Sequence, residues 1–507
     1  MRTIWKQDEI ITALEEASML SSIERLLKAL DEHEIIYCHW KSNEHLGEAL
    51  DGDTDLDMLF DPAQRTEFER IFDECGLKRF RATPLMQYNA IEDFIGFDQE
   101  AAKIWHVHTH YRMSLGEKHL KGYTITPWGP LLLKDRIRGD ADVWTSDPAD
   151  EFILLLSRIA LKLRWRDTGR GLGKDDQIEL AWLRERIDKD KVVVAADKMV
   201  GEKSKRQILG LYDASLKKKS QFVPLQKTLR KELKPYTAYS KAGSWVTRTK
   251  REFFWLYGGA KRRLGCSNYS ANRRVSPSGG LVVAILGCDG AGKSTTLSYI
   301  KKQFSTKLDV VSIYFGSGDG SSFLLRKPMK LVAKKVGGKG VGHAVEKEYE
   351  QKGKVSLKSR LYSAAKVVWA VTLAEEKKTK QRKMVKARNN GLLVLTDRYP
   401  QSNVPGASDG PLLSRYRNGH GLMKRISDWE QRVYESFSVN APDLTIKLVV
   451  PTDVAIARKP EMTAEEIENK KSIVMSMNIS EHTAVIDTSR PFEITCGEVM
   501  KEIWDLI

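Results

Sequence analysis

Cysteine is scarce in this chain and unordered. The five residues, Cys38, Cys75, Cys266, Cys288 and Cys496, are odd in number and form no Cys-x-x-Cys pair. That excludes a disulfide framework or a zinc ribbon and reads as reduced thiols in a cytoplasmic protein. Long apolar runs are also missing. The strongest, 281–288 and 367–374, fall far short of the roughly 18 residues that cross a bilayer. Residues 1–16 carry charges inside their apolar stretch and have no secretory-signal core. With 36 glycines and 16 prolines in 507 residues, collagen-like and low-complexity chains are excluded as well.

What remains is an ordinary globular composition, 41% hydrophobic and 30% charged, with length for about three domains. The formal net charge of +16 is not spread evenly. Residues 201–275 hold 19 basic and four acidic side chains, so nearly all of the excess lies in one segment.

Three regions follow. Residues 1–195 read as α+β, with helical periodicity over 10–34, 63–75, 149–165 and 175–187 and strand-like runs at 35–39, 55–60 and 103–111. Residues 196–277 form a basic helical connector, in which the tract Phe253-Phe254-Trp255-Leu256-Tyr257 sits between Lys/Arg clusters. After the plain linker 276–280, residues 278–507 alternate strands (281–286, 310–315, 392–396, 445–450, 484–487) with helices, the pattern of a doubly wound parallel sheet.

The strongest local signal is Gly287-Cys288-Asp289-Gly290-Ala291-Gly292-Lys293-Ser294, which satisfies G-x-x-x-x-G-K-[ST] between a strand and a helix. Such a loop turns backbone N–H groups onto phosphate oxygens at the positive end of a helix dipole. Lys293 would reach the β/γ-phosphates of ATP, and Ser294 would complete the shell of a Mg2+ ion.

This loop, through Thr295, resembles that of thymidylate kinases and their relatives. Two later pieces agree in order and spacing: Asp397-Arg398-Tyr399, like the family's Asp-Arg-Tyr, and Pro442-Asp443-Leu444, like the strand before the family's lid. The resemblance covers about 230 residues and implies a P-loop fold with ATP-dependent phosphoryl transfer to a phosphate-bearing acceptor. It also implies roles: Asp289 toward the acceptor's sugar or hydroxyl side, Asp397 near magnesium, Arg398 on the acceptor phosphate. Where the family has Arg-Glu-Pro-Gly-Gly, this chain has 316–322, Gly-Ser-Gly-Asp-Gly-Ser-Ser, and a second Asp-Gly follows at Asp409-Gly410. The acceptor is therefore open between a nucleoside monophosphate and another phosphorylated small molecule. Arg458, Lys459, Lys470 and Lys471 are expected as cationic lid groups, or else as a solvated helix face.

Asp55 and Asp57 stand two apart on a strand and so share a face. With Ser42 upstream they resemble the Gly-Ser and Asp-x-Asp elements of polymerase-β-type nucleotidyltransferases, which implies two magnesium ions held by the pair. The turn here is Lys41-Ser42, and the downstream strand carries no third carboxylate, which leaves Asp98 and Glu100 as substitutes. An active transferase, a degenerate nucleotide- or substrate-binding domain and an unrelated surface acidic turn all remain open. On that strand His106, His108 and His110 alternate, as a polar pocket face or as transition-metal ligands. The basic segment is open between a solvated connector and contact with an anionic membrane or nucleic acid, and a homo-oligomer is also open. A nucleotide-gated regulatory protein is the competing class for the whole chain.

Overall fold

The computed structural model describes residues 19–263, 269, 271–316, 357–406 and 408–507. These residues form two units: 19–263 with 272–277, and 278–316, 357–406 and 408–507 with 269 and 271. No described helix is long and apolar enough to cross a membrane.

Period-two alternation in the first unit produces β1 (Tyr37–His39), β2 (Asp55–Phe60), β3 (Lys78–Ala82), β4 (Ile91–Asp98), β5 (Lys103–His110), the short hairpin β6 (Met113–Leu115) and β7 (Tyr123–Ile125), then β8 (Ile137–Arg138), β9 (Trp144–Thr145) and β10 (Arg274–Val275). Apart from the hairpin they join one eight-stranded mixed sheet, in the order β10-β3-β4-β5-β2-β1-β9-β8. Helices Ser21–Glu32 and Arg65–Glu74 bury Ile23, Leu26, Leu30, Phe68, Ile71 and Phe72 with Leu56, Met58 and Phe60 of β2. A second core forms around Pro148–Lys162, a helix begun by Asp147, whose side chain accepts from Ala149 N, and by Pro148 at its first position. The segment expected as a connector from residue 196 contributes to this core. Ile208 and Leu211 of helix Glu202–Asp213 and Leu225 and Leu229 of helix Val223–Glu232 join it, and Gln226 donates to the carbonyls of Ala160 and Leu163.

The second unit is built on β11 (Leu281–Gly287), β12 (Val310–Tyr314), β13 (Leu393–Asp397), β14 (Leu444–Val449) and β15 (His482–Asp487), all parallel, in the order β12-β13-β11-β14-β15. One face of β11, Val282, Ala284 and Leu286, meets Met384, Phe437 and Val474 from helices Leu357–Asn389, Gly421–Val439 and Ala464–Ser476. Helices Lys293–Lys307 and Phe492–Leu506 cover the other side. β11 and β13 are buried on both faces, which is why 281–286 and 392–395 are apolar runs, whereas β12 and β15 keep exposed positions such as Ser312 and Val485. The 317–322 stretch, where the thymidylate kinase pattern is broken, lies outside the described residues, as do residues 10–18 of the expected first helix.

The register of β4 and β5 sets Gly96 opposite Trp105, whose buried indole lies where a Cβ at Gly96 would stand. Gly96→Ala is expected to overpack this site and cost about 1–3 kcal/mol. The reading is a lower urea midpoint for the first unit, and an unchanged midpoint would mean the indole moves aside freely.

Candidate functional site

In the second unit, strand register decides which residues meet. β11 lies between β13 and β14, pairing Ile285 with Asp397 and Gly287 with Leu448. Asp397 therefore ends its strand beside the start of the 287–294 loop, and Arg398 N donates to Ile285 O at 3.1 Å. The loop turns through Gly290 at φ +85°, where a Cβ would also lie 2.9 Å from the Ala455 carbonyl, so only glycine fits. Gly292, also at positive φ, caps helix Lys293–Lys307, whose first-turn N–H groups open toward the loop. Ser294 and Thr295 are exposed on that turn.

Lys293 folds back over the loop and donates to Gly287 O at 2.9 Å and Cys288 O at 2.7 Å. Burial and the nearby Arg398 hold its pKa below the usual lysine value. Arg398 itself adopts φ +67°, a left-handed conformation unusual for a long side chain. Its guanidinium lies 3.5 Å from Asp409 and 3.9 Å from Asp289. Asp289 is also paired with Lys470 at 2.5 Å. Burial alone would raise the Asp289 pKa, but Lys470, Lys293 and Arg398 hold it below the carboxylate norm. On the other side, buried Lys377 donates to Asp409 through its carbonyl at 2.9 Å and its carboxylate at 3.2 Å. A continuous run of charges thus passes from Lys377 through Asp409, Arg398 and Asp289 to Lys470.

Of the four expected lid cations, Lys470 reaches Asp289, and Arg458 donates to Gly290 O at 3.1 Å and Thr488 O at 2.9 Å. Lys459 and Lys471 pair locally, with Glu461 and Glu468. Sequence reasoning missed Lys377, which is one cation among many between residues 375 and 388. It noted Asp409 only as part of an odd Asp-Gly. No local signal ties the two together, since they lie 32 residues apart.

In the first unit the functional candidates lie on a sheet face. β2 and β5 are parallel, with Asp55 opposite His106 and Asp57 opposite His108, and antiparallel β4 sets Asp93 opposite His108. His106 Nδ1 is 3.0 Å from Asp55, and His106 Nε2 is 2.9 Å from Asp93. Asp57 Oδ1 lies 3.3 Å from both His108 Nδ1 and His110 Nε2, while Oδ2 meets Lys41 at 2.7 Å. Burial opposes ionisation of Asp57, but Lys41 and His108 carry its pKa well below the usual range. Burial pushes His110 down to about 3 and lowers His108, so both imidazoles are neutral near pH 7.

The third acidic group on this face is Asp93, which Arg274 also contacts at 3.0 Å. Neither expected substitute takes that part. Asp98 accepts from Ser22 N, Ser22 Oγ and Ala101 N, anchoring a helix start and a turn, and Glu100 is exposed. Asp93 was overlooked because the expected strand began at residue 103, whereas its own strand is the antiparallel neighbour β4.

Lys41 is aimed by the turn that follows it. Ser42 adopts φ +56°, and Asn43 donates from its backbone N (3.1 Å) and Nδ2 (2.6 Å) to the two oxygens of fully buried Glu151. Burial first, and then the Glu179 charge, push the Glu151 pKa up to about 7 from 4.5. Among the described residues two groups bring three ligating atoms within 4.8 Å of one another: Asp57, His108 and His110, and Glu44, Glu151 and Glu179.

No protein-family model matches the chain. It is similar to the uncharacterized ATP-binding protein YghS of Escherichia coli (strain K12), 28% identical over 203 residues, which are 39% of this chain and 81% of that protein. It is also similar to the uncharacterized ATP-binding protein YghR of the same strain, 25% identical over 230 residues, 44% of this chain and 86% of that protein.

Folded Glu151 keeps its proton up to about pH 7, whereas the unfolded chain releases it near 4.5. The folded state therefore binds the extra proton between those values, and this group's contribution to stability falls as pH rises across them. Glu151→Gln is expected to track the parent's stability near pH 4.5, gain on it up to pH 7 and hold a constant lead above. Urea melts of both proteins on either side of that window measure the difference. A gap that does not change with pH counts against the assignment.

Proposed function

We propose that the second unit binds ATP in the 287–294 loop and transfers the γ-phosphoryl group to a phosphate-bearing small molecule, as a P-loop kinase of thymidylate kinase type. The observation that carries this reading is Arg398, held between Asp289 and Asp409 at the strand end beside the loop. A nucleotide-gated switch needs the loop and its lysine. It has no use for a guanidinium braced by two carboxylates next to them, whereas a second phosphate does. The names of the two Escherichia coli relatives, both called ATP-binding, support the nucleotide half.

On nucleotide uptake Lys293 exchanges the carbonyls of Gly287 and Cys288 for β/γ-phosphate oxygens. The backbone of Gly287, Asp289, Gly290, Ala291, Gly292, Lys293, Ser294 and Thr295 wraps the phosphate chain. Ser294 and Asp397 offer a hydroxyl and a carboxylate, hard oxygen donors that suit Mg2+, and the ion would neutralise phosphate charge when bound. Arg398 orients the acceptor phosphate, and Asp289 faces its hydroxyl side. The acceptor oxygen forms the new bond to the γ-phosphorus as the bond to the β–γ bridging oxygen breaks, and ADP leaves. Lys470 and Arg458, already at the loop, act as the lid cations that exclude water.

A second reading concerns the first unit. Asp55 and Asp57 on one face of β2, with Asp93 beside them, support a nucleotidyltransferase-like site, whose Mg2+ at the aspartate pair would compete with an imidazole-bound ion for Asp57. Contact with an anionic surface is supported by helix Lys241–Arg263, which leaves Trp245, Phe253 and Leu256 exposed among its basic residues.

Incubation with γ-labelled or α-labelled ATP and a panel of acceptors separates these readings. Label passed from the γ position is expected. Transfer from α alone would assign the activity to the first unit, and ATP binding with no transfer would favour the switch. Lys293→Ala is expected to fold normally and lose at least about 10²-fold in γ-transfer, the scale of one lost charge-stabilising donor. Parent-like turnover in that variant would sink the kinase reading.

A further inference from the structure

We infer that the first unit holds a divalent first-row transition metal through Asp57, His108 and His110. The inference rests on no activity of either unit, so its failure and that of the kinase reading are separable.

The geometry is that of two ligands converging on a third. His108 approaches Asp57 Oδ1 with Nδ1 and His110 approaches the same oxygen with Nε2, both at 3.3 Å. Imidazole contacts to an ionised carboxylate are usually shorter, about 2.7–2.9 Å when charge-assisted. Ligands about 2.1 Å from a common ion, at angles between octahedral and tetrahedral, stand about 3.0–3.4 Å apart. The two aspartate–imidazole spacings match the second figure. All three ligating atoms fall within 4.8 Å of one another, as a shared ion requires.

The surroundings suit a metal site. Lys41 holds Asp57 Oδ2 at 2.7 Å, which fixes the carboxylate and leaves Oδ1 directed at the imidazoles. His108 Nε2, away from the cluster, faces Asp93 Oδ1 at 3.7 Å, so the ring's far side looks toward an acidic outer group. His110 is almost wholly buried, with 1% of its side chain exposed, whereas His108 is 23% exposed. One side of the triad is therefore rigid and the other open, which leaves coordination positions for water or a ligand oxygen. Two imidazoles with one carboxylate favour zinc, cobalt, iron or manganese over magnesium, which prefers oxygen donors and its own water. The aspartate expected to share magnesium with Asp55 is thus the one surrounded by nitrogen donors.

The test is equilibrium dialysis of the full chain against Co2+ alone, without nucleotide, followed by its visible d–d absorption. One equivalent of bound Co2+ is expected, with a ligand-field spectrum that Zn2+ abolishes and a large excess of Mg2+ does not. His108→Ala and His110→Ala should each weaken uptake at least tenfold, and Lys293→Ala should leave it unchanged. Circular dichroism checks that each variant folds. Where the buried His110 variant does not, His108→Gln at the more exposed position decides alone. No stoichiometric uptake, uptake that the histidine variants retain, or uptake that Lys293→Ala removes would overturn the inference.

Discussion

The second unit depends on the in-register pairing of β11 with both of its neighbours. Because β11, β13 and β14 are parallel, their carboxyl ends fall on one edge, and whatever follows each strand is gathered there. The 287–294 loop follows β11, Asp397 closes β13 and Arg398 comes next. This is the edge at which open parallel sheets bind ligands, since helix N-termini and strand-end loops meet there. Arg398 shows how far the sheet sets local geometry. Its left-handed backbone costs on the order of 1–3 kcal/mol, and the bond from its N–H to Ile285 O holds it in place. A one-residue slip of β13 would turn Asp397 and its neighbours to the opposite face.

The first unit gathers its polar groups on a face instead of an edge. Parallel β2 and antiparallel β4 flank β5, so three strands contribute alternate residues to one row of carboxylates and imidazoles. Burying carboxylates is costly unless partners offset the lost hydration. Here the offset comes from Lys41 at Asp57, Arg274 at Asp93, and histidines between them. Lys41 depends in turn on a turn anchored to Glu151, a group far along the chain and inside the second core. The polar face and the helical core of this unit are therefore coupled through one buried carboxyl.

Much of this was legible in the sequence where the signal is local. The five strands of the second unit fall within two residues of their expected bounds, most plainly β11, which is an unbroken apolar run because it is covered on both faces. Asp55–Phe60 and the helix Lys174–Arg186 were equally readable. What escaped depends on pairing across the chain. β4 lies in a stretch whose carboxylates at 92, 93 and 98 obscure its alternation, and only its antiparallel match to β5 reveals Asp93 as part of the cluster. Helix Leu357–Asn389 has charged residues on most of its turns, so nothing in its pattern marks Lys377 as buried. Asp409 then makes that burial tolerable from outside the helix. Ion-pair partners chosen by tertiary contact leave no trace in spacing.

The resting position of Lys293 is informative about how such a loop waits. An amine buried beside Arg398 must be hydrogen-bonded, and it finds the carbonyls of Gly287 and Cys288 within its own loop. Those acceptors are neutral, and bonds from an ammonium to phosphate oxygens, charged on both sides, are stronger. An anionic ligand at the loop would therefore compete with these carbonyls for the lysine. Asp289 is in a similar position, since its bond to Lys470 occupies the carboxylate only until a polyanion competes for the lysine. The loop is thus kept folded and satisfied by contacts that are individually weaker than those an anionic ligand would provide. A phosphate site can in this way be preformed in backbone while its cations remain free to turn toward whatever enters.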